Sequence, residues 1–212
     1  MKYLIVGDVH GMWSDLAVHL RNVSERGIDF DEVIQVGDFG IYMGKLKLLK
    51  QMLYKLKFDK PIHFIDGNHE DHPYLYQSIA KLAKMNVFYH PRCTITHLED
   101  GTKIGWMGGS FNVDRPQYAY PDGTSNFPHP NEISIMADII KKNDGVDLMV
   151  THSNPMGIGI GIHGHQIFQE SAINFIGGIG YRPAPLFDVG DEPHKDLWEK
   201  LQGFRPKTWV FG

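Results

Sequence analysis

The chain has 212 residues, of which 42% are hydrophobic and 12% aromatic, and its formal net charge is -4 at pH 7. A chain of this length and composition can bury a full core, and at about 150 residues per domain it predicts one globular domain. Acidic and basic residues are interspersed, which argues against the basic groove of a polynucleotide-binding protein and the polybasic segment of a protein bound to an anionic membrane.

Cysteine usage and the amino terminus predict a soluble, cytoplasmic protein. Cys93 is the single cysteine, so no internal disulfide can form, as is usual in a reducing compartment. The apolar run after Lys2 passes directly into Asp8 and lacks the length and the cleavage site of a secretory signal. No stretch reaches the ~18 apolar residues of a membrane span, so we expect no membrane partner.

The first third of the chain alternates strand patterns with helical patterns. Short apolar runs precede Asp8, Gly37 and Gly67, and each run predicts a strand. Apolar residues recur at helical spacing between the first two runs and again over residues 45–57, where lysines lie on the opposite face. A third helix is predicted to begin near Pro73. This alternation predicts a parallel α/β sheet with both faces covered.

From Val87 onward the sequence pattern changes to short strands separated by turn residues. We predict that the runs beginning at Val87, Thr94 and Lys103 pair as a second, mainly antiparallel set. Residues 112–130 are rich in Pro, Gly, Asp and Asn and have no period, which predicts a long loop or an inserted lid over the site.

A further helix is predicted over residues 131–142, with Ile135, Ile139 and Ile140 on its inward face. The apolar run that follows, residues 146–150, predicts a strand that ends just before His152. A fourth strand end therefore carries a residue type that binds metals.

Residue types that bind metals recur at the carboxyl ends of the predicted strands. They occur in the segments Asp8-Val9-His10, Gly37-Asp38 and Gly67-Asn68-His69-Glu70. The carboxyl ends of parallel strands meet where open α/β sheets bind their substrates. The sequence therefore predicts a two-metal site assembled from separate strands.

Each candidate ligand has a predicted role. Asp38 is the best candidate for an oxygen that bridges two cations about 3.5–4 Å apart. Asp8 and His10 are two residues apart, so their side chains point the same way and can hold one cation together. Asn68 offers a neutral carbonyl oxygen to the second cation, and His152 can complete more of that cation's shell.

The residues after Asn68 have further predicted roles. His69 points away from Asn68 and is a candidate to donate a proton to the departing oxygen. Glu70 is either a polar residue at a helix start or a group that orients His69. Mixed imidazole and carboxylate donors accept several first-row metals, so we expect two divalent cations, with manganese first and iron or zinc as alternatives.

Taken in order, these segments resemble the calcineurin-like metallophosphoesterase family, whose pattern is Asp-x-His, Gly-Asp-x-x, Gly-Asn-His-Asp/Glu, a later His and then Gly-His-x-His. The resemblance spans nearly the whole chain and implies a single domain over residues 1–212. It also implies an α/β fold, a four-layer sandwich of two mixed β-sheets flanked by helices, with a dinuclear site between the sheet edges.

The same resemblance implies a role for each site residue. The implied ligands of one metal are Asp8, His10 and Asp38, and those of the other are Asp38, Asn68 and His152. His69 is the implied proton donor.

The chain departs from the family pattern at its end. The segment Trp209-Val210-Phe211-Gly212 predicts a last core strand that runs into the first glycine of Gly-His-x-His, and the two histidines are absent. Three explanations stay open: a cut or incomplete reading frame, a naturally shortened inactive protein, or replacement of the ligands by His163 and His165. Against replacement, Ile162 rather than glycine precedes the first of these histidines.

The resemblance implies a cytosolic, metal-dependent phosphoesterase with water as the nucleophile. No Asp-Arg-Gly run follows Gly37, which argues against the protein serine/threonine phosphatase branch and favours a small phosphate ester or nucleotide as substrate. A catalytically silent binding module with the same fold stays open. So does a metal-dependent nuclease, although the basic groove expected for a polymer is missing. Monoester or diester preference and oligomeric state are left open.

Overall fold

The computed structural model describes residues 1–110, 126–158 and 190–212. The helices in these ranges are α1 (Trp13–Glu25), α2 (Leu46–Leu56), α3 (His72–Ala83), α4 (Pro130–Lys142) and α5 (Glu192–Lys200). The strands are β1 (Tyr3–Val6), β2 (Glu32–Gln35), β3 (Ile62–Phe64), β4 (Val87–Tyr89), β5 (Thr94–His97), β6 (Lys103–Met107), β7 (Leu148–Thr151) and β8 (Thr208–Val210). Most of the lid predicted over residues 112–130 lies outside the described residues, as do His163 and His165.

The first sheet has the strand order β1-β2-β3-β4, and every neighbouring pair is parallel. Helices α1, α2 and α3 connect successive strands, and parallel strands need crossovers of this length. The parallel sheet predicted from the strand and helix alternation is thus confirmed. The prediction that Val87 opens an antiparallel set was wrong, because β4 follows a helical crossover and pairs in parallel with β3.

The second sheet has the order β5-β6-β7-β8. Strands β5 and β6 pair antiparallel across a tight turn, in which Gly101 has a φ of 85°. Strand β7 pairs in parallel with both β6 and β8, so this sheet is mixed.

Successive side chains of a strand point to opposite faces of its sheet, so the buried apolar residues form three layers. Ile34 of the first sheet packs in one cluster with Trp106 and Val150 of the second sheet. Val33 points the opposite way, into a cluster formed with α1, α2 and α3. Met149 likewise points away from the first sheet, into a cluster with α4 and α5. The order helices, sheet, sheet, helices confirms the predicted four-layer sandwich. Among the described strands, however, only the second sheet is mixed, whereas the resemblance implied two mixed sheets.

Helix α4 begins with a capping box, in which the His129 side chain accepts from the Asn131 amide and the Glu132 side chain accepts from the His129 amide. Its buried residues are Ile133, Met136, Ala137 and Ile140. The prediction that Ile135 points inward was wrong, since its side chain is 50% exposed. Helical spacing places position 135 almost opposite Ile133 on the helix surface.

Two half-buried histidines lie between the sheets. His63 Nδ1 and His90 Nε2 are 2.8 Å apart, and the His90 ring stacks on Trp106 with centroids 3.9 Å apart. Burial, with the neighbouring His63, lowers the pKa of His90 to about 3. Burial also lowers the pKa of His63, although Glu32 Oε2 lies 3.3 Å from its Nε2. Both imidazoles are therefore neutral in the folded protein at neutral pH.

We expect this pair to make the protein less stable in acid. The pKa of His90 falls from its ordinary 6.5 to about 3 on folding, so between these values the unfolded chain binds more protons. The contribution of neutral His90 to the free energy of unfolding is present above about pH 6.5 and is lost as the pH falls toward 3. His90→Phe keeps an aromatic ring against Trp106. Between about pH 7 and pH 4 the free energy of unfolding of this variant should fall by roughly 3 kcal/mol less than that of the wild type.

The measurement is the free energy of unfolding from urea titrations at several pH values. His97→Phe, at an exposed position on β5, controls for the loss of an imidazole elsewhere. A pH slope that is equally steep in wild type and His90→Phe would contradict this prediction.

Candidate metal centre

The segments that follow β1, β2, β3 and β7 meet at one end of the two sheets. Asp8 and His10 follow β1, Asp38 follows β2, Asn68 follows β3 and His152 directly follows β7. In a parallel arrangement the carboxyl ends of neighbouring strands share an edge, and polar side chains there converge. All five residues predicted as metal ligands are thus brought to one place.

Asp38 lies at the centre of this cluster. Its Oδ2 atom is 3.6 Å from His10 Nε2 and 3.5 Å from His152 Nε2. Its Oδ1 atom accepts a hydrogen bond of 2.8 Å from the His69 main-chain amide. The Asp38 side chain is only 2% exposed, so its carboxylate is held with both oxygens directed at neighbours. Asp8, Asp38 and His152 each offer one ligand atom within 4.8 Å of the others.

Asp8 and His10 form the open side of the cluster. Asp8 Oδ2 is 3.6 Å from His10 Nε2, but both residues lie beyond the end of β1 and His10 has a positive φ, so the turn and not strand alternation brings these side chains together. Asp8 Oδ1 is 3.9 Å from His152 Nδ1. The two side chains are 43% and 38% exposed, so this side of the cluster is accessible from solvent.

His152 and Asn68 form the buried side. His152 Nε2 lies 3.0 Å from Asn68 Oδ1, and its Nδ1 lies 2.9 Å from the Val36 main-chain oxygen. A carbonyl oxygen only accepts, so Nδ1 donates the proton to Val36 and Nε2 faces the cluster. A hydrogen bond of this kind orients imidazoles that bind metals.

Charge couples Asp38 to His152. Burial would lower the pKa of His152, but the hydrogen bond to Asp38 and the charges of Asp38 and Asp8 raise it to about 9. Burial would raise the pKa of Asp38, but the hydrogen bond and charge of His152 lower it overall. Without a cation the two residues form a buried ion pair, so a cation binding at His152 Nε2 competes with a proton there.

The backbone is strained at two of these candidate ligands. His10 and Asp38 have φ values of 50° and 53°, in the left-handed region that residues other than glycine rarely adopt. The Asp38 main-chain oxygen accepts from the amides of Val9 and His10, at 3.1 and 2.7 Å. A Cβ on Gly40 would lie 2.1 Å from the Gly11 amide nitrogen, so only glycine lets the two loops approach. Strain of this kind persists when the surrounding contacts hold it.

Glu70 ties two of the ligand loops together. Its side chain is buried and accepts from the main-chain amides of Gly40 and Ile41, at 3.0 and 2.9 Å. The cap of helix α3 is instead Asp71, which accepts from the Tyr74 amide. Glu70 thus holds the loop after Asp38 against the loop that carries Asn68, a role that sequence reasoning missed because its partners are 29 and 30 residues away.

His69 lies beside the cluster, and hydrogen bonds hold both its main-chain amide and its main-chain oxygen. Its amide donates to Asp38, and its carbonyl oxygen accepts from the Tyr42 hydroxyl. The His69 ring lies edge-on to the His10 ring, with centroids 5.4 Å apart. The His69 ring therefore lies next to His10, a candidate ligand from the segment after β1, and the role of His69 as proton donor stays a prediction.

The donor set is of a kind that divalent cations bind. It combines two carboxylates, one amide oxygen and two imidazoles, which first-row metals accept. The two carboxylates lie close together, an arrangement that a cation stabilises by offsetting their repulsion. Strand β8, which pairs with β7, leads Gly212 to the edge of this cluster. The Gly212 amide donates to the His152 main-chain oxygen at 2.8 Å.

Comparisons with known proteins agree with this geometry. The family model described as calcineurin-like phosphoesterase matches residues 1–208. The crystal structure of TT1561 of Thermus thermophilus aligns with 82% of this chain and 77% of its own, with 12% sequence identity and a TM-score of 0.53. A second crystal structure aligns with 100% of this chain and 83% of its own, with 10% identity and a TM-score of 0.62. At these identities the likeness concerns the fold. No curated protein matches the chain.

The family match covers almost the entire sequence, and members of this family are phosphoester hydrolases that bind divalent metals. Among the described residues, no helix combines the length and apolarity that crossing a bilayer requires. The ordered motifs, the four-layer fold and the family match lead to one conclusion: the chain belongs to the calcineurin-like phosphoesterase family.

Proposed function

We propose that this protein is a metal-dependent phosphoesterase that hydrolyses a small phosphate ester or nucleotide, with two divalent cations, manganese first, as cofactors. The observation that carries the proposal is the convergence of Asp8, Asp38 and His152, whose ligand atoms lie within 4.8 Å of one another although they come from three strands. Their surroundings are pre-arranged, since buried hydrogen bonds already orient Asp38 and His152.

The chain supplies two half-sites that share Asp38. Asp8 and His10 would hold a cation on the exposed side, and Asn68 and His152 would hold one on the buried side. When bound, such cations neutralise phosphate oxygens and lower the pKa of water, so that hydroxide is available at neutral pH. The buried carboxylate of Asp38 directs one oxygen, Oδ2, at both halves, since this atom lies 3.6 Å from His10 Nε2 and 3.5 Å from His152 Nε2.

His69 is the proposed proton donor. Its main chain is anchored to Asp38 and Tyr42, which places the ring beside the ligand cluster without making it part of the set. An imidazolium in this position can protonate the oxygen of the departing alcohol as the ester bond breaks. A neutral imidazole that remains can be reprotonated from solvent, because the side chain is only half-buried.

The exposed side of the cluster supports a small substrate. The phosphate group can approach from solvent past Asp8 and His10, which are 43% and 38% exposed. We propose a cytoplasmic protein that acts on a soluble ester and needs no membrane partner.

The test is hydrolysis of p-nitrophenyl phosphate and bis-p-nitrophenyl phosphate by metal-free protein supplied with Mn²⁺, with metal content measured by mass spectrometry on the same sample. The expected result is hydrolysis that depends on Mn²⁺ and stops with a chelator. Folded protein that binds Mn²⁺ but hydrolyses neither ester would contradict the enzymatic proposal. Folded protein that binds no Mn²⁺ would favour a catalytically silent binding module instead.

A further inference from the structure

A buried arginine lies behind the loop that carries Asn68. Arg92 follows β4, its side chain is 10% exposed, and its Nε and Nη2 atoms both donate to Asp66 Oδ2, at 2.9 and 2.7 Å. The Asp66 side chain is fully buried and also contacts the Tyr89 hydroxyl and His72 Nε2, each at 3.0 Å. Asp66 precedes Asn68 by two residues, so these contacts fix the start of the loop.

The same guanidinium reaches the other side of the loop through Asn126. Arg92 Nη2 donates to the Asn126 main-chain oxygen at 3.2 Å, and the Ser110 amide donates to the same oxygen at 3.0 Å. Asn126 is 4% exposed, and its side-chain amide donates to the main-chain oxygen of Asn68. Arg92 therefore supports the loop at two points, through Asp66 and through Asn126.

Close packing holds Arg92 in this position. The Gly109 amide donates to the Asp66 main-chain oxygen at 2.8 Å, and a Cβ on Gly109 would lie 2.6 Å from Arg92 Nη2. The same Cβ would lie 2.7 Å from the Asn126 main-chain oxygen. The planar guanidinium donates to the side chains of Asp66 and Glu132 and to the main-chain oxygens of Asn126 and Phe127. A lysine has neither the shape nor the number of donors to replace it.

The geometry points to Arg92 as a positioning residue that holds Asn68 in place for cation binding on the buried side of the metal centre. The Asn68 side chain has to keep its oxygen near His152 Nε2, which is 3.0 Å away, and its own main chain is held by Asn126. Groups that orient metal ligands typically change metal affinity by about 10- to 100-fold when they are removed. The inference rests on the proposed function, since Asn68 needs this support as a ligand only if the centre binds metal.

The test is a calorimetric titration of metal-free protein with Mn²⁺, accompanied by electron paramagnetic resonance. Arg92→Lys should weaken one binding step by about 10- to 100-fold and leave the step on the Asp8 side unchanged. The resonance signal of a spin-coupled manganese pair should give way to that of isolated Mn²⁺. A general loss of stability would not separate the two steps in this way.

Asn126→Ala is the second variant, because it removes the donor to Asn68 and leaves the contacts of Arg92 with Asp66 in place. It should show the same selective weakening. Glu132→Gln is the matched control: it removes the charge 3.3 Å from Arg92 Nη1 but keeps a residue that serves in the capping box of α4.

The outcomes are distinct. If wild type binds no Mn²⁺, the proposed function fails. If wild type binds two ions and both Arg92→Lys and Asn126→Ala bind them equally tightly, the positioning role is wrong although the proposed function survives. Equal losses in Glu132→Gln and Arg92→Lys would overturn the positioning role too, because the effect would then follow from any change near α4. If Arg92→Lys does not fold, the titration of Asn126→Ala decides.

Discussion

The Asp38→Asn variant is expected to lose at least about 10³-fold in hydrolysis of the p-nitrophenyl esters and to lose the ability to hold a pair of cations. Asparagine keeps the shape of Asp38 but replaces one carboxylate oxygen with an amide. If the oxygen stays where it accepts from the His69 amide, the new NH₂ group faces His10 and His152. A donor then stands where the proposed site needs a bridging oxygen, so both half-sites should weaken together.

Asp147→Asn is the matched control for this charge change. Asp147 forms a surface ion pair with Lys207, at 2.9 Å, and accepts from the Lys103 amide, far from the ligand cluster. This variant should bind Mn²⁺ and hydrolyse both esters as wild type does. Metal content by mass spectrometry and initial rates at saturating Mn²⁺ provide the measurements. Full activity of Asp38→Asn with two bound ions would refute the bridging role.

Replacement of His69→Asn should lower kcat by about 10²- to 10⁴-fold with little change in bound Mn²⁺, because a proton donor acts in the chemical step and is not a ligand. The loss should depend on the leaving group. p-Nitrophenolate is stable as an anion and needs little protonation, whereas an alkyl alkoxide needs a full proton. The variant should therefore lose more activity on an alkyl phosphate such as glycerol phosphate than on p-nitrophenyl phosphate.

His97→Asn controls for the loss of an imidazole at an exposed position on β5. The decisive quantity is the ratio of the two losses, since a general disturbance of the centre lowers both rates equally. Equal losses on alkyl and p-nitrophenyl substrates would rule out proton donation by His69. A loss of bound Mn²⁺ would instead place its ring among the metal ligands.

The candidate centre could be anticipated from the sequence because each ligand follows an apolar run. Asp8, Asp38 and Asn68 are separated by crossovers of helical length, and a parallel sheet with such crossovers must gather the carboxyl ends of its strands. The spacing of Asp8 and His10 further predicts that both side chains leave the strand in the same direction. These inferences need only local pattern and one rule of sheet geometry.

Other features could not be anticipated in this way. An apolar run of three residues such as Val87–Tyr89 predicts a strand but not its partner, and the structure places it in the first sheet. The isoleucines of α4 were assigned by composition, whereas the helix buries the face that carries Ile133 and leaves Ile135 exposed. In both cases the deciding contact lies on another element of the fold.

By itself the sequence indicated the order of strands and helices as far as β7, the last strand β8, and the residue types that follow the strands and make up the candidate centre. Helix α5 was not predicted. Only the tertiary structure decided which nitrogen of His152 faces that centre, what Glu70 binds and why Arg92 is buried. The physical reason is distance along the chain: His152 and Val36 are 116 residues apart, and Arg92 and Asp66 are 26 apart. Such hydrogen bonds form where two sheets pack face to face, as for His152 and Val36, or where loops after neighbouring strands of one sheet meet, as for Arg92 and Asp66. No local pattern of residues encodes which side chains that packing brings together.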